Sequence, residues 1–246
     1  MSTPSTLVDV SARLRHRLSG LSFSDPVTHV YNPLEYAWEP HRDYLRRCGQ
    51  GTKDVVLVGM NPGPWGMAQN GVPFGATTPV RDFLGVRGNV GRPDPEHPKR
   101  IIEGLELQRE EVSGTRLWGW VEETWKTPEA FFERFFVYNF CPLCFLAVSG
   151  RNVTPDKLRA HERKPLLAIC AEALREGIRA LEARRVIGVG AWAEKQCAQA
   201  LEGVAIRDWP VEVGRVLHPS PASPKANRGW ADAATEELRA QGIQIP

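Results

Sequence analysis

Two short segments carry side chains able to break a bond. Asn61 lies in Gly59-Met60-Asn61-Pro62-Gly63-Pro64, directly after the apolar run Val55-Val56-Leu57-Val58. His218 opens His218-Pro219-Ser220-Pro221, after a second strand-like run from Val211 to Leu217. In an open parallel sheet, residues just past the carboxyl ends of strands converge on one crevice. An amide held there can position a water, and an imidazole can donate to a leaving group that departs as an anion. Pro62 and Pro64 fix their own φ angles, Pro62 biases Asn61 towards extended geometry, and Gly63 lets a ligand approach the backbone. The loop is therefore stiff. Alone, it is equally a rigid turn in which Asn61 bonds its own backbone, and a solitary His218 reads as structural.

Further residues fit the same crevice. Phe74, in Gly71-Val72-Pro73-Phe74-Gly75, can stack on a base, although burial is the commoner fate of Phe. Asn139, after Phe135-Phe136-Val137-Tyr138, offers the mixed donor and acceptor that reads a base edge. The projection from Pro219 to Gly229 carries prolines, Lys225 and Arg228, and suits a wedge that unstacks bases; an ordinary surface loop is the other reading.

The elements that must position these residues are partly visible. Leu7, Val10, Leu14, Leu18 and Leu21 repeat with helical spacing. Pro26, Pro33 and Pro40 predict a wrapping segment without a long element. Val55 to Gly59 is a buried strand, Asn61 to Gly75 a loop, and Thr78-Pro79 opens a helix to Leu84. Residues 85–98 form a further loop. Thr127-Pro128 opens a helix that runs into the strand at Phe135 to Tyr138. Thr154-Pro155 opens the longest helical stretch, interrupted near Pro165 and ending near Arg184. Strand 186–189, helix 191–201, strand 211–217 and helix 229–240 complete an alternation that predicts a parallel sheet with helices on both faces.

Composition narrows the classes. A chain of 246 residues accommodates one large α/β domain, and 31 basic against 29 acidic residues leave a net charge of +2. A uniformly basic body that coats nucleic acid is excluded; a local basic patch is not. There is no apolar run of membrane-spanning length, and the first six residues lack signal-peptide character. Five cysteines without an export signal point to free thiols in a reducing compartment. Cys141-Pro142-Leu143-Cys144 has dithiol spacing, but buried small residues in a turn explain it as well. Gly188-Val189-Gly190-Ala191-Trp192-Ala193 matches a dinucleotide fingerprint formally. Its expected acid, Asp208, precedes the next strand when it should end it, and tight strand-to-helix packing accounts for the glycines.

Together, Gly59 to Gln69, Gly71 to Gly75 and His218 to Pro221 through Ala226 to Trp230 resemble the single-strand-selective monofunctional uracil-DNA glycosylases. The likeness begins near Val27 and includes Val30-Tyr31-Asn32-Pro33, His97-Pro98-Lys99-Arg100 and Ser149-Gly150-Arg151-Asn152. Branches of the superfamily with Asp in the first loop, or without the second histidine, are not matched.

The resemblance implies a three-layer α/β/α fold with a central, mainly parallel sheet. It implies one domain over residues 1–246, with residues 1–26 as an N-terminal helical arm. It further implies hydrolysis of the N-glycosidic bond of uracil, and of uracils with oxidised 5-substituents such as 5-hydroxymethyluracil, in single-stranded and duplex DNA. By position, Asn61 orients the water and His218 donates to the uracil oxygen that gains charge. Asn139 reads the uracil edge, Phe74 stacks, and Met60 and Gly63 form the pocket's backbone and floor. Pro219, Ser220, Pro221, Ala222, Lys225, Asn227 and Arg228 form the DNA-contacting loop. No metal or cofactor is expected, and the implied protein is an intracellular, DNA-associated monomer. No loop carboxylate stands beside Asn61, so water activation is expected to be weak. Trp65 replaces the family's usual Phe, and Ala222 replaces an Arg, which bears on duplex binding. A non-catalytic single-strand-binding module with the same pocket is the competing class.

Overall fold

The computed structural model describes residues 6–246; the first five residues of the expected N-terminal helical arm lie outside the described residues. Helix α1 (Leu7–Leu18) opens on a capping box, with Thr6 Oγ1 accepting from the Asp9 N–H and the Asp9 carboxylate accepting from the Thr6 N–H. Strand β1 (His29–Tyr31), α2 (Pro33–Tyr36) and α3 (Trp38–Cys48) follow. The proline-punctuated stretch thus holds more structure than its sequence predicts. Pro33 is the first residue of α2, and Pro40 stands in the first turn of α3, where a backbone N–H has no helical partner to lose.

Strand β2 (Val55–Gly59) is buried on both faces. Helix α4 (Met67–Asn70) interrupts the expected loop, and a single π-helical turn occupies Pro79–Phe83. Thr78 is itself helical there and makes no side-chain cap. Helix α5 (Val112–Trp125), unforeseen in the sequence, precedes α6 (Pro128–Phe132) and β3 (Phe135–Asn139). Strands β4 (Cys144–Leu146) and β5 (Asn152–Val153) lead to α7 (Ala160–Ala180). Pro165 does not interrupt α7: the carbonyl it leaves unpaired belongs to exposed His161, within reach of water. Then come β6 (Arg185–Val189), α8 (Ala191–Leu201), the hairpin β7 (Ala205–Ile206) and β8 (Trp209–Pro210), β9 (Glu212–Val216), α9 (Pro224–Asn227) and α10 (Trp230–Ala240).

The main sheet is parallel throughout, in the order β3-β2-β6-β9, and is flanked by helices as the alternation predicts. Gly59 lies opposite Asn139, so the ends of β2 and β3 are level. A second sheet, β1-β4-β5, is antiparallel and was not legible, because strands of two or three residues are too short to show alternation. Aromatic rings fasten α5 and α6 to β3: Phe131 stacks on Phe135 at 5.1 Å, and Trp125 meets Phe135 edge-on at 5.2 Å. Such pairs contribute about 1 kcal/mol each beyond burial, and they fix the helix whose N-terminus borders the site. No helix among the described residues is long and apolar enough to cross a membrane.

Candidate active site

Three of the four strands of the parallel sheet send a residue to one cleft of about 430 Å³, and the fourth backs it. Asn61 follows β2, Asn139 ends β3, and His218 follows β9. Gly190, after β6, supports His218 from behind. Its φ is +92°, and an added Cβ would lie 3.3 Å from the His218 Cβ, so glycine both turns the chain and lets the imidazole settle. The convergence expected of Asn61, His218, Asn139 and Phe74 is realised, with Met60, Gly63 and Ser220 also on the wall.

The Asn61 amide is oriented by two carbonyls. Its Nδ2 donates to Pro62 O and Leu143 O, both at 3.2 Å, and makes no other bond among the described residues. Because both neighbours can only accept, Oδ1 must be the atom that faces the cleft with acceptor capacity to spare. Among the described residues the His218 ring makes no hydrogen bond and is held by packing, 6.2 Å from the Phe74 ring, centroid to centroid. Burial lowers its pKa, so the ring is neutral at neutral pH. Its Nδ1 is buried without a partner. An unpaired acceptor is tolerated better than an unpaired N–H, which favours the tautomer with its proton on Nε2, the nitrogen left to a ligand.

Asn139 is buried, with Nδ2 against Met67 Sδ at 3.2 Å, and its Oδ1 forms no bond among the described residues. Gly59 permits this arrangement. A Cβ there would meet Asn139 Oδ1 at 2.4 Å and Phe74 Cε2 at 2.7 Å. Phe74 has a left-handed φ of +53°, costly for an aromatic residue, and its carbonyl is pinned by Trp118 Nε1 at 3.0 Å. At Gly63 an added Cβ would meet nothing within 4 Å, so that side of the cleft is open.

One carboxylate reaches the cleft after all. Glu111 caps α5, its oxygens accepting from the Ser113 and Gly114 N–H groups. Burial raises its pKa against those bonds. Both oxygens are committed to the helix, which removes Glu111 as a free base. Glu111, Ser113, Met67, Asn152 and Thr154 are lining residues that the sequence reading missed. The acidic pair Glu110-Glu111 ahead of the apolar Leu117 to Val121 was the available signal for α5.

The loop after His218 is braced where sequence reading places DNA contacts. Pro219 is buried, and Ser220 lines the cleft. Arg116 of α5 donates to Pro219 O at 3.2 Å and to Asn227 Oδ1 at 2.8 Å, while Asn227 Nδ2 donates to Pro221 O at 2.9 Å. Asn227 is therefore a strut of the loop, and Lys225 is paired with Glu237 at 2.6 Å. Pro221, Ala222 and Arg228 are exposed, and among the described residues Arg228 has no ion pair.

The competing motifs have structural explanations. A Cβ on Gly188 would lie 2.1 Å from Glu194 N, so strand-to-helix packing accounts for that glycine, and Asp208 sits in the β7–β8 turn. All five cysteines are buried and unbridged; burial pushes the Cys144 thiol up to about 12, unlike a redox dithiol. No cluster of three or more metal-ligating side chains occurs among the described residues.

Comparison with known proteins agrees with this geometry. Residues 47–239 match the uracil DNA glycosylase superfamily. The chain is 51% identical over 231 residues to the single-strand selective monofunctional uracil-DNA glycosylase of Rattus norvegicus, covering 94% of this chain and 82% of the relative. The Bos taurus counterpart is 50% identical, with 94% and 84% covered. This chain belongs to that family. The crystal structure of wild-type Pedobacter heparinus SMUG2 shares the fold of this glycosylase, with a TM-score of 0.65 at 15% identity over 96% of this chain and 98% of the other.

Proposed function

We propose that Asn61 and His218 carry the glycosylase reaction in this chain, on uracil and on uracils with a polar 5-substituent in DNA. The base must leave the stack to reach the cleft, which costs a few kcal/mol. Stacking on Phe74 and hydrogen bonds with Asn139 offset that cost. Asn61 Oδ1 accepts a hydrogen bond from a water and aims it at the sugar carbon. The C1′–N1 bond breaks with its electron pair going to the base, the water oxygen bonds to C1′, and the water's proton is released. His218 Nε2–H donates to the uracil oxygen on which the negative charge gathers. A fixed donor of this kind contributes on the order of 3 kcal/mol.

The observation that carries the reading is the pairing of a free amide oxygen on Asn61 with a neutral imidazole on His218 across one cleft. No lysine lines that cleft among the described residues, which supports hydrolysis without strand cleavage. Glu111 is engaged in capping, so water activation is weak and turnover modest.

Single-turnover release of uracil from a single-stranded oligonucleotide, with EDTA present, tests this. Asn61→Ala and His218→Ala should each slow release by roughly a hundredfold or more. Near-wild-type rates in both variants would remove these residues from the mechanism and favour the binding-module reading of the pocket.

A further inference from the structure

Two segments singled out in the sequence, His97 to Arg100 and Ser149 to Asn152, are not used by the chemistry, yet the fold joins them. Arg100 Nε donates to Gly150 O at 2.7 Å, and His97 Nε2 lies 3.2 Å from both Ala147 O and Val148 O. The combined surface is continuous with the cleft, since Asn152 Nδ2 reaches Pro62 O at 3.4 Å. It also holds Trp65, which stands between Pro64 and the cleft residue Gly66. The Arg100 and Arg109 guanidiniums both lie over the Trp65 ring, 4.9 Å and 4.4 Å from its centroid.

Two like charges over one ring repel each other, and no carboxylate among the described residues pairs with either. Among the described residues neither arginine makes an ion pair, and the neighbouring Glu110 is turned away to Thr78. Arg109 is exposed and, among the described residues, is held by the Trp65 ring without a hydrogen bond or ion pair. Lys99 and Arg151, beside Gly150, are exposed as well. An aromatic face orients a guanidinium without consuming its N–H groups. Arg100 gives Nε to Gly150 O and Nη1 to Lys99 O, both at 2.7 Å, and keeps Nη2 for an anion. Among the described residues Arg109 has none of its N–H groups engaged.

We propose that Trp65, Arg100 and Arg109 form a phosphate clamp for the DNA strand on one flank of the extruded nucleotide, a contact surface separate from the Pro219–Gly229 loop. It rests on the reading of the cleft as a site for DNA. Arg109 and Arg100 bind the phosphates, and Trp65 is a positioning residue that holds them. Binding through phosphates is independent of base sequence and is weakened by salt.

The test combines binding of a uracil-free single-stranded oligonucleotide, by fluorescence anisotropy over a salt series, with single-turnover excision from its uracil-containing counterpart. Arg109→Ala should weaken binding several-fold and reduce the slope of log K against log salt by about 0.7, the value for one phosphate on a single strand. Trp65→Leu should do the same, whereas Trp65→Phe, which keeps an aromatic face, should restore most of the loss. Excision at saturating protein should be unchanged in all three. Removing the oligonucleotide's nucleotides on one side of the uracil, but not the other, should abolish the difference between Arg109→Ala and wild type. Unchanged affinity and slope in Arg109→Ala and Trp65→Leu would overturn the clamp. If the wild-type protein bound DNA with this salt signature but released no uracil, the catalytic reading would fail and the clamp would stand.

Discussion

Replacing Gly59 with alanine places a methyl group where two parts of the site already meet. The added Cβ would lie 2.4 Å from Asn139 Oδ1 and 2.7 Å from Phe74 Cε2, against an ordinary contact of at least 3.4 Å. The amide must therefore retreat by about 1.0 Å and the ring by about 0.7 Å. Neither is free to do so: Asn139 is fixed by the register of β3 against β2, and Phe74 by its left-handed backbone and its bond from Trp118. Overpacking of this kind costs about 1–3 kcal/mol of stability. In a protein of this size that lowers Tm by roughly 4–8 °C for a 2 kcal/mol loss. Misplacement by 1 Å costs about a hundredfold in rate. Gly63→Ala is the matched control, since its Cβ meets nothing within 4 Å and should leave Tm unchanged. Thermal unfolding and single-turnover excision should be measured on both variants. Full activity and an unshifted Tm in Gly59→Ala would refute the argument that Asn139 and Phe74 are set by close approach to β2.

Three more outcomes follow from the same geometry. His41 is fully buried, with its Nδ1 proton on Gly71 O at 2.7 Å and Nε2 3.1 Å from Ser11 Oγ, and burial pushes its pKa down from 6.5 to about 4. Between those values the unfolded chain binds a proton that the folded chain does not, so stability falls with falling pH, by about 3 kcal/mol across the window. Urea titrations at stepped pH should show this loss, and His41→Gln should flatten it. Gly63→Tyr should fill the open side of the cleft and suppress excision of 5-hydroxymethyluracil; intact excision in a competition assay would show that Gly63 is not the gate. Ala222→Arg adds a long cation to an exposed loop position and should speed excision from duplex while changing single-strand excision little, because only a duplex has a stack to refill. Equal acceleration on both substrates would mean that the loop acts through charge alone.

What the sequence determined by itself is local. The apolar run Val55 to Val58, the stiff Asn61 and His218 loops, the α8 span and the parallel alternation were legible because periodicity, proline and glycine act within a few residues. The same local signals misled at Pro40 and Pro165, where helices accept a proline whose lost bond is not needed or is replaced by water. Only the tertiary structure decided the rest. It brought the end of β3 level with Gly59, laid the two- and three-residue strands β4 and β5 beside the cleft, and sent Glu111 into it. It also tied Asn227 to Arg116 and Lys225 to Glu237, and gathered Arg100 and Arg109 over Trp65. These features depend on strand register and on contacts between segments far apart in the chain, and neither is written in the spacing of neighbouring residues.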